Sequence, residues 1–203
     1  MSDQNLQKNE QTTTSSSQIP FDVRVMVQPT PNPSAYKFIV NREVKATGKI
    51  TYNSADECHN NDLGRALFDI PSVLQLHFFE NVITVTFKPD TNLLSAEDDV
   101  IDVIKRMVVA HDPNFHVDED EAVRRAALSP EIREIEEILD RTIRPGLQGD
   151  GGDIEVISLV DNELSVRYQG ACGSCPSSSQ GTLMAIEGIL REQFDPDIRV
   201  LIV

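Results

Sequence analysis

Two short segments near the end of the chain, DIEVISL (153–159) and ELSVRYQ (163–169), do most to limit what it can fold into. Each alternates apolar and polar residues, as half-buried strands do, and the three residues between them suffice for a hairpin. A helix-like apolar stripe precedes the pair, a second follows it, and IRVLIV closes the chain. The order α-β-β-α-β predicts a compact domain over residues 130–203, with a small sheet packed on two helices.

The helix that precedes these strands carries clear boundary signals. Ser129 is placed to cap it, and Pro130 takes the first helical position. Its apolar stripe consists of Ile132, Ile135, Ile138, Leu139 and Ile143. We expect this helix to stop at Pro145-Gly146 and a GDGGD turn (149–153) to follow. The helix after the strands has its apolar residues roughly on one face, at Leu183, Ile186, Leu190 and Phe194. IRVLIV is expected to form a short buried strand.

The first half of the chain predicts a β-rich α+β domain over residues 20–112, so the fold class is α+β with two small domains. VRVMVQ (23–28) and AYKFIV (35–40) have strand character, the second with Tyr36, Phe38 and Val40 on one face. A helix is expected over residues 60–70, capped by an Asn or Asp. VLQLHFF and VITVTF predict a hairpin around Glu80-Asn81. Ser95 is expected to cap a second helix.

The remaining segments and the charge limit the classes of function. Residues 1–18 are polar and predict a disordered tail, and residues 113–129 predict a charged linker. The net charge of −15 disfavours nucleic-acid and membrane-surface partners, because an acidic chain repels phosphate groups. The N-terminus lacks the features of a signal or transit peptide, and three cysteines form no disulfide framework. These features predict a cytoplasmic protein.

The segment GACGSCPSSS (170–179) carries the most chemistry. Cys172 is expected in the turn after a strand, and Cys175 at the cap position of the following helix, with Pro176 as the first helical residue. Free N–H groups at a helix start favour a thiolate, which is the form that binds metal. The two-residue spacer lets both sulfurs reach one ion or one edge of a cluster.

Two thiolates make only half of a usual zinc or iron–sulfur site, and no histidine follows His116. Either histidines of the first domain complete the site, or a second chain supplies two more thiolates around one [4Fe–4S] cluster. Ligands split between subunits make a labile site, which suits a carrier. A zinc module that bridges a dimer is a further reading. A thiol–disulfide oxidoreductase is the enzymatic alternative, although thioredoxin folds place such a pair early in the chain.

Other chemically interesting residues have plainer readings. Cys58 has no local partner and is expected to be an ordinary thiol. The four histidines show no metal-ligand spacing: His59, His77, His111 and His116. The glycines of GDGGD precede a strand, whereas phosphate-binding glycines open a helix, so a turn is the expected role. Asp150 and Asp153 are expected to be turn or cap groups rather than ligands. No catalytic constellation is recognisable, which favours a protein that is not an enzyme.

Taken together, LQGDGGDIEVISL, VRYQGACGSCPSSSQGTL and the helices around them resemble the NifU-like (Nfu) iron–sulfur proteins over residues 131–203. VQPTPNPSAYKFIV and HFFENVITVTF are similar to the N-terminal module of the same family. The resemblance implies that Cys172 and Cys175 ligate a [4Fe–4S] cluster, one per homodimer, which is delivered to apo-proteins. It also implies an upstream assembly machinery that loads the cluster. The resemblance further implies that GDGGD lies near the cysteines.

Overall fold

The computed structural model of the chain describes residues 22–115, 128–173 and 178–203. These residues form two sheets, each with helices packed against it, which confirms the α+β class. We call residues 22–115 the five-stranded module and the described residues of 128–203 the three-stranded module. The predicted tail and most of the predicted linker lie outside the described residues, and the domain boundaries stay predictions. None of the described helices is long and apolar enough to cross a membrane.

The five-stranded module is an antiparallel sheet in the order β1-β2-β5-β4-β3. Its strands are β1 (Val25–Pro29), β2 (Ala35–Val40), β3 (Lys45–Tyr52), β4 (Val73–Glu80) and β5 (Val82–Phe87). Four of these strands are confirmed predictions, whereas β3 was not predicted from the sequence. The pairing of β3 with β4 shifts register between Lys45 and Lys49, and Gly48 has a φ of +66° there, so the alternation that marks a strand is interrupted.

Two helices cover one face of this sheet, α1 (Asp62–Phe68) and α2 (Leu93–Met107). The side chain of Asn61 caps α1 by accepting a hydrogen bond from the backbone of Gly64, as predicted. The predicted start of α2 is wrong, because its cap is Asn92 and Ser95 lies in the first turn. The earlier start brings Leu93 against the core. The largest fully buried side chains of this core include Phe38, Phe78, Phe87, Leu63, Leu67, Leu76, Ile83 and Ile104.

The three-stranded module has the predicted element order with one helix more. Its elements are α3 (Pro130–Thr142), α4 (Arg144–Gly149), β6 (Gly152–Val160), β7 (Glu163–Gly170), α5 (Ser178–Gln193) and β8 (Arg199–Ile202). The Ser129 side chain accepts a hydrogen bond from the backbone of Ile132, so the predicted cap of α3 is confirmed. The predicted end of α3 is wrong, because α3 stops at Thr142 and Pro145 lies in the first turn of α4. Proline is tolerated there, because the N–H that it lacks would have no hydrogen-bond acceptor within the helix.

The small sheet has the order β6-β7-β8, with β6 and β7 as an antiparallel hairpin and β8 parallel to β7. Helices α3 and α5 place the predicted apolar stripes in its core, where Ile135, Ile138 and Leu139 are buried. The prediction of a buried final strand is wrong. Strand β8 lies at the sheet edge and buries Val200 alone, while Leu201 and Ile202 are 43% and 45% exposed.

Candidate functional site

The described part of the cysteine loop, residues 170–173, follows directly from β7. Gly170 ends the strand with a φ of +60°, and the backbone N–H of Gly173 donates to the Gly170 carbonyl at 3.1 Å. The next residue, Ala171, donates its N–H to the carbonyl of Gly151 at 3.1 Å. Cys172 therefore stands in a tight turn after a strand, as predicted, and it is 6% exposed.

The GDGGD turn packs against this cysteine. A Cβ added to Gly152 would lie 2.5 Å from the sulfur of Cys172 and 2.8 Å from its backbone nitrogen, which no real Cβ does. Glycine at position 152 thus makes room for the thiol, and the closeness of GDGGD to the cysteine loop is confirmed. The residue pattern alone predicts a turn for these glycines, and only the family resemblance implies that they lie near the cysteines.

Cys175 lies outside the described residues, as do residues 174–177 as a whole. The described part of α5 begins at Ser178. The placement of Cys175 as a helix cap, and the ligand roles of Cys172 and Cys175, therefore stay predictions.

Tyr168 on β7 is a neighbour of Cys172 that the sequence analysis missed. Burial raises the pKa of Tyr168 to about 12, and the negative charge of a Cys172 thiolate adds to the shift, while a hydrogen bond with Thr182 opposes it. The phenol therefore stays neutral at ordinary pH. The alternation of ELSVRYQ, which turns Leu164, Val166 and Tyr168 to one face, could have predicted this position.

A buried charge network lies under the GDGGD turn. Asp153 has no exposed surface, and its carboxylate lies 2.7 Å from the Nζ of Lys49 and 3.4 Å from the Nε of Arg144. Gln148 donates to the same carboxylate at 3.0 Å, and Glu136 forms an ion pair with Arg144 at 2.5 Å. Burial lowers the pKa of Lys49, and Asp153 opposes that shift. Asp153 is thus more than a turn residue, because it joins the two modules.

Cys58 and the histidines named in the sequence analysis, His77 apart, are described next. Cys58 is fully buried in the five-stranded core, and burial raises its pKa to about 12, so it is a thiol rather than a thiolate. His111 contacts the Val44 carbonyl at 2.8 Å, and burial lowers its pKa. His59 is exposed, and His116 lies outside the described residues. Within the parts of the chain that the structure describes, no group of three or more His, Cys, Asp or Glu residues could hold a metal ion.

His77 of β4 lies close to the cysteine loop, a position that no local pattern in the sequence predicts. It is 3% exposed, and its Nδ1 lies 2.9 Å from the hydroxyl oxygen of Thr51. A Cβ added to Gly170 would lie 3.0 Å from the Cγ of His77. Burial lowers the pKa of His77 to about 4, the charge of Lys49 lowers it further, and that of Asp153 opposes the shift. The ring is therefore neutral at ordinary pH.

Two family models match the chain. The NifU-like domain matches residues 135–201, and the N-terminal domain of the scaffold protein Nfu/NifU matches residues 25–111. The first match contains Cys172 and Cys175, and the second spans the five-stranded sheet.

Named relatives match most of the chain. NifU-like protein 5 of Arabidopsis thaliana is 31% identical over 82% of this chain and 62% of its own length. The NFU1 iron-sulfur cluster scaffold homologs of Homo sapiens and Drosophila persimilis are each 32% identical over 76% of this chain, and over 61% and 56% of their own lengths. The chain therefore spans about three fifths of the length of these relatives.

The names of these relatives also bear on location. All three are named as mitochondrial proteins. The prediction of a cytoplasmic location is therefore wrong. It had rested on the absence of a recognisable targeting segment, which is no positive signal for any compartment.

Proposed function

The chain belongs to the NifU-like iron–sulfur scaffold family, through a NifU-like domain and an Nfu-type N-terminal domain, and from this premise we propose that it is a scaffold or carrier of iron–sulfur clusters. The single observation that carries the proposal is the position of Cys172. Cys172 lies in the turn after β7, inside the matched NifU-like domain, and Gly152 of the GDGGD turn leaves room for its sulfur.

The cluster is the cargo, and each chain contributes half of its binding site. Cys172 and Cys175 supply two thiolates, and a second copy of the chain supplies the other two around one [4Fe–4S] cluster. A site divided between two chains is easily released, because separation of the chains removes half of the ligands. A carrier needs this property, whereas a structural metal site does not.

Transfer to an apo-protein is an exchange of ligands without net oxidation or reduction. For each iron, the bond to Cys172 or Cys175 breaks as a bond to a thiolate of the acceptor forms. The proton that leaves the acceptor thiol passes, directly or through water, to the released cysteine. No substrate is turned over, so the protein acts as an assembly factor and not as an enzyme. Its partners are a donor of clusters and cysteine-containing apo-proteins.

Anaerobic reconstitution with iron and sulfide tests this function through matched cysteine variants. Cys172→Ser should lose the bound iron and acid-labile sulfide, because a hydroxyl is a poor replacement for a thiolate. Cys58→Ser is the control and should bind as much cluster as the wild type, because Cys58 lies in the core of the other module. A Cys172→Ser protein that still holds a full cluster would contradict the proposal.

The oxidoreductase and zinc alternatives predict different results for the same protein. A thiol–disulfide oxidoreductase would reduce insulin efficiently without metal, whereas a carrier should not. A structural zinc module would bind zinc in preference to a cluster under anaerobic reconstitution. Either result would overturn the carrier function.

A further inference from the structure

The turn between β1 and β2 contacts the backbone next to Cys172. This turn, residues 30–34, carries Asn32, whose side-chain amide donates a hydrogen bond to the carbonyl oxygen of Ala171 at 3.0 Å. Asn32 and Ala171 are each 2% exposed, so water does not compete for this bond. Ala171 directly precedes Cys172 in the chain. A side chain of the five-stranded module therefore reaches the peptide group that leads into the cysteine.

The turn holds the side chain of Asn32 in one orientation. Pro31 and Pro33 lie on either side of Asn32, and each proline ring restricts the backbone. The backbone N–H of Asn32 donates to the Oγ1 of Thr30 at 3.1 Å. The side-chain oxygen of Asn32 accepts a hydrogen bond from the backbone N–H of Ser34 at 3.0 Å. With its oxygen bound inside the turn, the amide nitrogen is directed at the other module.

Both polar backbone groups of Ala171 are held, each by a different module. Its N–H donates to the carbonyl of Gly151 in the GDGGD turn at 3.1 Å, and its carbonyl accepts the amide of Asn32. The carbonyl of Ala171 and the nitrogen of Cys172 belong to one planar peptide group. Holding the carbonyl therefore also fixes the direction in which the chain enters Cys172.

The five-stranded module touches the same short segment at a second point. The ring of His77 lies so close to Gly170 that a Cβ there would be 3.0 Å from its Cγ. Gly170 in turn accepts a hydrogen bond from the N–H of Gly173, which closes the turn around Cys172. Residues 170–173 are thus supported from the five-stranded module by a ring contact and by a directional hydrogen bond.

We propose that Asn32 is a positioning residue for the cluster ligand Cys172, so that the support of the cluster site comes from both modules. The inference rests on the proposed function. The sulfur of Cys172 is packed by Gly152 of its own module, and Asn32 acts instead on the backbone before the cysteine. Groups behind a metal ligand orient it, and their removal typically lowers metal affinity 10- to 100-fold.

Asn32→Asp separates the contact with Ala171 from the structure of the turn. The aspartate keeps an oxygen for the N–H of Ser34, but it has no donor for the carbonyl of Ala171. Asn32→Ala also removes the donor and adds no charge. An effect shared by both variants therefore reports the lost hydrogen bond, whereas an effect of Asn32→Asp alone would come from the new carboxylate and would contradict the inference.

Asn41→Asp is the matched control in the same module. The amide of Asn41 also donates to a backbone carbonyl, that of Asp22 at 2.9 Å. Its oxygen also accepts from a backbone N–H, that of Arg24 at 2.9 Å. The two asparagines thus bond in the same way, and only Asn32 contacts the residue before Cys172.

The first measurement is amide hydrogen exchange by NMR on the apo full-length chain, which needs no cluster. Both Asn32 variants should raise the exchange rate of the Ala171 amide by about tenfold, which corresponds to roughly 1.4 kcal/mol. Val166, buried in the central strand β7, should keep its rate, and Asn41→Asp should change neither. An unchanged rate at Ala171 would overturn the inference. An equal rise at Ala171 and Val166 would also overturn it, because Asn32 would then contribute only to global stability.

The second measurement uses the anaerobically reconstituted proteins. Both Asn32 variants should lose iron to a ferrous chelator about tenfold faster than the wild type. The EPR spectrum of the reduced cluster should also change, because the geometry at its cysteine ligand has changed. Asn41→Asp should match the wild type in both respects. A purely structural role of Asn32 would lower the unfolding midpoint in urea and leave the EPR spectrum as it is, which would refute positioning.

The two measurements separate this inference from the proposed function. If the Ala171 exchange rates differ as expected but not even the wild type holds a cluster, the contact of Asn32 with the turn stands and the carrier function fails. If all four proteins hold clusters with the same EPR spectrum and the same rate of iron loss, the carrier function stands and Asn32 is not a positioning residue.

Discussion

Lys49 on β3 and Asp153 on β6 form an ion pair of 2.7 Å between two sheets that share no strand pairing. Asp153 is completely buried and is the point where the charges of the two modules meet, since Arg144 of its own module lies 3.4 Å from its other oxygen. The pair lies at the end of the GDGGD turn. It thereby ties the position of the five-stranded module to the turn that packs on Cys172.

Asp153→Asn should destabilise the protein by about 3 kcal/mol, because it leaves the buried Arg144 and the partly exposed Lys49 without their shared anion. Lys49→Met should cost clearly less, because Arg144 still neutralises Asp153. Urea denaturation of the two variants measures the difference between their free energies of unfolding. An equal loss of stability in both variants would show that Arg144 contributes little to neutralising the Asp153 carboxylate.

Gly152→Ala should destabilise the three-stranded module by about 1–3 kcal/mol, because the new methyl group would overlap the sulfur of Cys172 and the carbonyl of Gln169. Gly188→Ala is the matched control. Nothing lies within 4 Å of a Cβ at that position in α5, so this change should stabilise the helix by about 0.5–1 kcal/mol. Thermal denaturation should therefore show a lower Tm for Gly152→Ala and a higher Tm for Gly188→Ala than for the wild type. A neutral Gly152→Ala would contradict the tight packing on Cys172.

Lowering the pH should reduce the free energy of unfolding, because His77 is buried in its neutral form. Its pKa is about 4 when folded and 6.5 for the unperturbed side chain, so the unfolded chain takes up the proton first as the pH falls. This contribution to stability is complete above pH 6.5 and is lost between pH 6.5 and 4, to a maximum of about 3 kcal/mol. His77→Gln should reduce the difference in unfolding free energy between pH 7 and pH 4.5.

The exposed His59 offers the control for that experiment. His59→Gln should keep the wild-type difference between the two pH values. If His77→Gln kept it too, the burial of the His77 ring against the cysteine loop would not govern the acid sensitivity.

Cys58 should behave as a core residue and nothing else. Its pKa of about 12 and its full burial predict no alkylation of the folded protein at pH 8. Cys58→Ala should cost about 1 kcal/mol for the small cavity and leave cluster binding unchanged. Alkylation followed by mass spectrometry and iron analysis of the variant measure both. Rapid alkylation of Cys58 in the folded chain would contradict its placement.

Local signals in the sequence predicted those parts of the fold that depend on neighbouring residues. The Asn61 and Ser129 caps, the two hairpins and the apolar stripes of α3 and α5 depend on contacts within a few residues, and these predictions are confirmed. Strand β3 was missed because Gly48 and a register shift interrupt its alternation. The start of α2 was misplaced because contact of Leu93 with the core, and not the serine signal, sets it.

The site was harder to predict, because its parts come from distant segments. The two-residue spacing of Cys172 and Cys175 stands out in the sequence, but it fits zinc, a redox pair and a cluster alike, and only the family resemblance favours the cluster, so their ligand role stays a prediction. Nothing local to Lys49 or His77 shows that they face the GDGGD turn and the cysteine loop, since the folding of two sheets against each other brings them there. Glycines 151, 152 and 170 were visible, but their role follows only from what their missing Cβ atoms would meet.

Native mass spectrometry of the anaerobically reconstituted protein decides whether each chain carries half of a cluster site. We expect a homodimer that holds about one [4Fe–4S] cluster, and we expect Cys175→Ser to abolish this species. A monomer that holds a complete cluster by itself, or a dimer that survives Cys175→Ser with its cluster intact, would contradict it.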